Sequence, residues 1–261
     1  MSDANPFRRF LARPNSDPVK SIGMAAAVAA ICALIVSATA VMLRPTIEEN
    51  RLAARAGQMS AMLESVPGIA ELLDGGGIET FVVDLVTGRI SDTDPATFDQ
   101  NAAAADPERS TALSPAVDLA AISRRENESL VWMVRDGAEI KLLVLPVRGA
   151  GYQSTIRAYL ALEGDLNTVA AFTVYEQGET PGLGSRVAER DFLSGWTGKQ
   201  IADEGDIMID AAAGASGPHE VEMISGASVT TYGTIDMVHF WLGENGFGPF
   251  IENLREGTAW P

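Results

Sequence analysis

From Ser21 through Leu43 the chain carries no charged residue, and no other feature limits its fold as strongly. An α-helix rises about 1.5 Å per residue, so this run is long enough to cross the roughly 30 Å hydrocarbon core of a bilayer with its backbone polar groups paired internally. Arg8, Arg9, Arg13 and Lys20 precede it, against Asp3 and Asp17. A basic N-terminal flank keeps that end in the cytoplasm and places the bulk of the chain across the membrane. Ala38-Thr39-Ala40 has the small-x-small form of a leader cleavage site. The uncharged run exceeds the apolar core of an ordinary secretory leader, however, and reads as a retained anchor. Ala25, Ala29, Ala33 and Ser37 recur every fourth residue. They would form a small-residue face suited to close packing inside a multi-subunit membrane complex.

Beyond the anchor, Pro45 opens a stalk pattern through Ile47, Leu52, Met59, Met62, Leu63 and Val66, with Thr46 and Glu49 spaced as a capping box. Pro67-Gly68 ends it, and a second short helical piece reaches the loop Asp74-Gly75-Gly76-Gly77. Strands are expected over Phe81–Val86, Ser129–Val134, Ile140–Val147, Ser154–Leu162 and Val169–Tyr175, all rich in β-branched and aromatic residues. Turns at Asp136-Gly137 and Gly164-Asp165 make them antiparallel hairpins. Ser91–Arg125, rich in Asp, Ala, Pro and Ser, reads as a surface excursion with short helical pieces and no assigned function. The fold class is α+β: one transmembrane helix, then a mixed, mainly antiparallel sheet with flanking helices. The expected divisions are a cytoplasmic tail over 1–20, the membrane helix over 21–43, stalk helices over 44–78 and an extracytoplasmic domain over 79–261.

A net charge of −16 with basic residues clustered only at the N-terminus argues against nucleic acid as a partner. One cysteine, Cys32, and two histidines, His219 and His239, cannot build a disulfide framework or a His/Cys metal site.

Two stretches carry chemistry. Tyr175–Gly184 is a loop too rich in Gly and Pro to lie inside an element. It is not a dinucleotide fingerprint, because Val187 stands where the third glycine would fall, and no P-loop lysine follows. A binding loop and a plain connection to a helix around Arg186–Leu193 both fit it. The second stretch is Val221-Glu222-Met223-Ile224-Ser225-Gly226-Ala227-Ser228-Val229-Thr230-Thr231, a short apolar run giving way to small residues ahead of a strong helical pattern. A helix start exposes unpaired N–H groups that hold anions such as phosphate, and Gly226 and Ala227 permit close approach. The same serines also read as ordinary N-caps, Ser225 or Ser228, with no ligand.

The string from Ser225 to Thr230 resembles the S-G-A-[ST]-x-[ST] motif of proteins that carry FMN as a phosphoester on its fourth residue. That position here is Ser228; Glu222 stands where the motif usually has Asp, Ser228 where it usually has Thr, and Thr230 is the fallback acceptor. Across the chain, Cys32–Ala38 with Leu43-Arg44, Val83-Asp84 with Thr87-Gly88, Tyr175–Gly184, and Gly246-Phe247-Gly248-Pro249-Phe250 with Leu254-Arg255 occur in an order similar to that in the C-type subunits of the sodium-translocating NADH:ubiquinone reductases. The resemblance implies covalent FMN at Ser228, with the flavin ring near Gly178–Gly184. Ser225, Gly226, Ala227, Thr230, Tyr152, Glu179, Thr180, Gly182, Leu183 and Gly184 would surround it. Backbone amides of Thr180–Gly184 are candidates to bond the ring, and Glu176 and Glu179 influence its potential only if they face it. Gly149-Ala150-Gly151-Tyr152 occupies the place of a family turn that holds a tryptophan. The implied role is electron transfer without NADH binding, in a bacterial inner membrane with the main domain periplasmic. Other subunits, redox partners and a flavin transferase are the implied partners. The G-type component of the ferredoxin-oxidising complex shares the motif, but the GFGPF ending and the insertion after the first strand favour the quinone reductase. A membrane-anchored FMN-binding regulatory module and a domain that never receives flavin are the alternatives of other classes.

Retention of the anchor is checked by N-terminal sequencing of the purified protein. The mature chain is expected to keep Ser21–Leu43, and a sequence starting near Val41 would contradict it.

Overall fold

The computed structural model describes residues 6–66 and 77–260. The expected helix stop at Pro67-Gly68, the short helical piece after it and the loop through Gly76 lie outside the described residues. The chain divides into two compact units, Met1–Ala54 and Arg55–Pro261.

In the first unit a short helix α1 (Pro6–Leu11) precedes the long helix α2 (Pro18–Ser65), which continues into the second. The Phe10 ring sits where Gly23 offers no side chain. Pro18–Asn50 is apolar enough to cross a membrane, with mean hydropathy 2.5 in its most apolar stretch, none of it buried. This is compatible with a single-pass anchor. Pro45 lies inside α2, so Thr46 and Glu49 are interior residues and form no capping box. A proline deletes one hydrogen bond and can bend a helix without ending it when both flanks keep helical residues.

The second unit is built on an antiparallel sheet of order β2-β1-β5-β6-β7-β8. Its strands are β1 (Glu79–Asp84), β2 (Arg89–Ile90), β5 (Glu128–Asp136), β6 (Glu139–Ala150), β7 (Thr155–Glu163) and β8 (Val169–Glu176). The hairpins expected at Asp136-Gly137 and Gly164-Asp165 join β5 to β6 and β7 to β8. Strand side chains alternate between faces. Leu143, Leu145 and Val147 of β6 share the main core with Ile235, Met237, Val238 and Trp241 of the helix α5 (Ser228–Leu242). Leu142 and Val144 join Tyr159, Ala161 and the α2 residues Met62 and Leu63 in a second core. Cover on both faces explains why β6 is buried almost throughout. Pro146, which has no N–H, sits past the β5–β6 ladder, which runs from Trp132↔Val144 to Asp136↔Glu139, and pairs only with Tyr159 of β7.

The 91–125 excursion is more structured than its composition suggests. Asp99 caps helix α3 (Gln100–Ala105) by accepting from the amides of Asn101 and Ala102. Phe98 and Ala103 pack on Val82 of β1, and β3 (Ser110–Ala112) pairs with β4 (Arg124–Glu126). The Ala120 carbonyl accepts from the Ala150 amide at 2.8 Å, bracing the end of β6. Beneath this segment Glu126, fully buried, meets Arg148 at 2.7 Å and Gln100 at 2.7 Å.

After β8 come a 3-10 turn (Gly184–Ala188), α4 (Arg190–Ser194) and the short strands β9 (Ala202–Asp203), β10 (Asp206–Ile207), β11 (Asp210–Ala212) and β12 (Glu220–Glu222). The last two pair in parallel and lead into α5. The final helix α6 (Gly248–Glu256) returns to the first turn, where Asn253 donates to the carbonyls of Thr87 and Gly88.

Removing one partner of a buried ion pair costs about 3–5 kcal/mol, because the other charge is left uncompensated. Glu126→Ala is therefore expected to destabilise the domain by roughly that amount in denaturant titration followed by tryptophan fluorescence. A loss below about 1 kcal/mol, the range of an exposed pair, would contradict the buried assignment.

Candidate functional site

Antiparallel pairing brings the end of β6, the start of β7 and the end of β8 to one edge of the sheet. Two loops leave this edge, Gly151–Ser154 and Gln177–Gly184, and the start of α5 meets them there.

The three segments converge on the Glu179 carboxylate, in a residue only 5% exposed. One oxygen accepts from the Gln153 amide at 3.0 Å, the Ser154 amide at 2.9 Å and the Ser154 hydroxyl at 2.8 Å. The other accepts from the Tyr152 amide at 3.1 Å and the Thr230 hydroxyl at 2.8 Å. Burial, the largest single influence, pushes its pKa up. The hydrogen bonds from Thr230, Gln153 and Ser154 together outweigh burial and hold the carboxyl below its ordinary value. It is therefore a fixed anion at neutral pH. A side chain at Gly184 would come within 2.6 Å of this carboxylate and 2.7 Å of the Thr230 hydroxyl, so the missing Cβ is what lets the loop close.

The start of α5 has no side-chain cap. Its N-cap position is Ala227, with φ −137° and ψ 43°, and Ser228 is the first helical residue. Neither Ser225 nor Ser228 caps the helix, because the preceding turn is held from inside: buried Thr231 donates to the Ala227 carbonyl at 3.0 Å and accepts from the Ile224 amide at 3.2 Å. The polar end of the helix is thus left facing solvent beside exposed Ser225, Gly226 and Ser228. Glu222 is engaged elsewhere, accepting from the amides of Gly214 and Ala215 in the turn after β11.

A cleft of about 160 Å³ opens here, lined by Tyr152, Glu179, Thr180, Leu183, Gly184, Gly226, Ala227, Ser228, Val229 and Thr230. Of the residues expected at the site, Ser225 and Gly182 are not part of its lining. Gly182, at φ +75°, shapes the loop, its amide donating to the Ser185 hydroxyl. The Leu183 amide donates to the Thr180 carbonyl. Two of the amides expected to bond a flavin ring are therefore taken up by the loop's own turn. Val229, and Gln153 and Ser154 behind Glu179, were not singled out in the sequence. Their position two to three residues after Gly151, in the turn flagged at Gly149–Tyr152, was the available signal for the latter two.

The chemistry of this lining suits FMN. An uncapped helix start favours a phosphate, Ser228 offers an exposed hydroxyl beside it, and Tyr152, Leu183 and Val229 form an exposed apolar rim of the kind that takes a planar aromatic ring.

Comparison with known proteins agrees. The FMN-binding domain family matches residues 151–243. The chain is 39% identical over 253 residues to the C-type subunit of the Na(+)-translocating NADH-quinone reductase of Pseudomonas aeruginosa, covering 92% of this chain and 97% of that one. It is 36% identical over 260 residues to the corresponding protein of Vibrio alginolyticus, covering 93% and 98%. The crystal structure of Shewanella oneidensis NqrC superposes with a TM-score of 0.67 at 31% identity, covering 77% of this chain and 99% of that one.

Because Glu179 titrates below its ordinary 4.5 in the folded protein, its charge stabilises the fold above the unfolded carboxyl's pKa. That contribution is lost as the pH falls through the lower folded value. Glu179→Gln is therefore expected to lower the melting temperature of the detergent-solubilised chain at neutral pH and to flatten its decline below about pH 5. Parallel pH profiles for parent and variant would contradict it.

Proposed function

The chain belongs to the family of the C-type subunits of Na(+)-translocating NADH-quinone reductases, and on that footing we propose that it carries FMN as a phosphoester on Ser228. In this reading it relays electrons within such a complex and does not itself bind NADH. The observation that carries the proposal is the exposed Ser228 hydroxyl on an uncapped helix start, at a cleft closed by the Gln177–Gly184 loop.

The residues divide the work by chemistry. The start of α5 and Gly226, in the left-handed region at φ +80°, would hold the phosphate, which needs N–H donors and close backbone approach. Leu183, Val229 and Tyr152 would border the flavin ring, and Glu179 with Thr180 and Gly184, which line the same cleft, would form its wall. FMN, when bound, supplies reversible one- and two-electron chemistry; the protein sets its potential through nearby charge and hydrogen bonds. The ionised Glu179 opposes added negative charge close to it, an effect moderated by the five hydrogen bonds it accepts.

A covalent link fits a site open to solvent, since a tethered cofactor cannot diffuse away. The proposed setting is a bacterial inner membrane, with the N-terminus cytoplasmic, one membrane span and the flavin domain periplasmic. The proposed partners are the other subunits, including those that exchange electrons with this one, and a flavin transferase that modifies the chain.

The chain produced with a flavin transferase is expected to give a fluorescent band on a denaturing gel. The peptide containing Ser225–Thr231 should gain the mass of one FMN less water. Ser228→Ala should abolish both signals and Ser228→Thr retain them. A parent chain that never takes label would contradict the redox role, and label that persists in Ser228→Ala would contradict the acceptor assignment.

A further inference from the structure

The motif holds two hydroxyls, Ser228 and Thr230, within one helical turn, and its order points to Ser228 without a physical reason why Thr230 is passed over. We propose that Glu179 decides it, by masking Thr230 so that Ser228 is the acceptor; this rests on the reading that the chain is flavinylated through a hydroxyl.

Residues two apart on an α-helix point about 200° from one another. Ser228 is exposed, whereas Thr230 is 1% exposed. Ester formation from free FMN would release water and is unfavourable, so the donor must be a phosphoanhydride of FMN, such as a flavin dinucleotide. The hydroxyl oxygen forms a new bond to the flavin-side phosphorus, and the anhydride P–O bond breaks. The departing phosphate takes the electron pair, and the hydroxyl proton passes to a base of the transferase or to solvent. An acceptor therefore needs a lone pair that a bulky donor can reach and a proton free to leave.

Thr230 meets neither condition. Its proton is donated to Glu179 at 2.8 Å. Gly184 packs so close on the other side that even a Cβ would lie 2.7 Å from the hydroxyl oxygen. A carboxylate beside a hydroxyl can also act as a general base and activate it. Here the carboxylate accepts four further hydrogen bonds, from Tyr152, Gln153 and Ser154. These keep the carboxyl below its ordinary range and so weaken it as a base. With Thr230 also closed to a bulky donor, masking outweighs activation. A hydrogen bond to a charged acceptor lowers the availability of its donor by roughly ten- to a hundred-fold.

A merely structural Glu179 would affect how much flavin the chain carries, and a masking Glu179 determines where. The test is peptide mass mapping of the full chain produced with a flavin transferase. The parent should be labelled at Ser228, and Ser228→Ala should be unlabelled. Ser228→Ala with Glu179→Ala should carry flavin on Thr230, and adding Thr230→Ala should remove it. Glu179→Gln in the Ser228→Ala background keeps the cleft wall filled and an amide oxygen that still accepts from Thr230, so it should leave Thr230 unlabelled, and flavin on Thr230 there would overturn the masking. Flavin on Thr230 in Ser228→Ala with Glu179 intact overturns the proposal. So does an unlabelled Thr230 in Ser228→Ala with Glu179→Ala when that variant shows a cooperative melting transition. A parent chain without flavin is a different result, which removes the covalent reading and this inference with it.

Discussion

The Glu179 carboxylate is the point on which the rest of the second unit's site depends. Its five hydrogen bonds come from the loop between β6 and β7 and from α5, while the residue itself stands on the loop after β8. Those segments are distant in sequence; strand pairing brings them to the same end of the sheet, and the carboxylate fixes their spacing there. A buried anion left unpaired would cost several kcal/mol, so the donors and the carboxylate require one another. Much else serves this contact. Gly184 must lack a side chain, and Ser154 relays the contact by accepting from the Gly178 amide at 2.8 Å.

The sheet and its supports deliver the three segments to that point. β6 can be long and almost wholly buried because α5 covers one face and the end of α2 the other, so its last residues arrive rigidly at Gly151. Trp241 of α5 donates to the Arg148 carbonyl at 2.7 Å and lies under the Arg148 guanidinium, 5.3 Å from the ring centre. Arg148 in turn neutralises Glu126, at the end of β4 just past the 91–125 excursion. Helix, sheet and excursion are thus locked by one buried polar network within a few residues of the cleft. The C-terminal helix closes the other side of the fold against the Thr87–Gly88 turn.

The sequence made the strands legible, because β-branched and aromatic runs bounded by Asp-Gly and Gly-Asp turns have few other interpretations. The family resemblance implied nine of the residues that line the cleft, eight of them on the small-residue helix start and the Gly/Pro-rich loop, which are local patterns, and the ninth, Tyr152, on the turn before β7. What the sequence could not convey was pairing across distance. Glu179 was visible as a loop acid, but its partners at 152–154 and 230 are set by hairpin register and helix placement. The same limit explains the excursion, whose Ala-, Asp- and Pro-rich composition conceals a capped helix, a two-stranded ladder and a buried ion pair. At Pro45 the error ran the other way. A strong local signal for a helix start was overridden by a helix that continues through it.

Ser228 and Thr230 show how this architecture bears on chemistry: one helix turn offers an exposed hydroxyl and a buried one, and the fold commits the buried one to the central carboxylate. The central claim, that the cofactor is held through its phosphate as an ester of this chain, is tested most directly by phosphorus NMR of the purified protein. A phosphodiester has no ionisation near neutral pH, whereas a phosphomonoester titrates with a second pKa of about 6. The account predicts one phosphorus signal per chain whose shift is unchanged from about pH 5 to 8 and which persists after denaturation. A signal that moves with pH as a monoester does, or that leaves with the small molecules on unfolding, would contradict it.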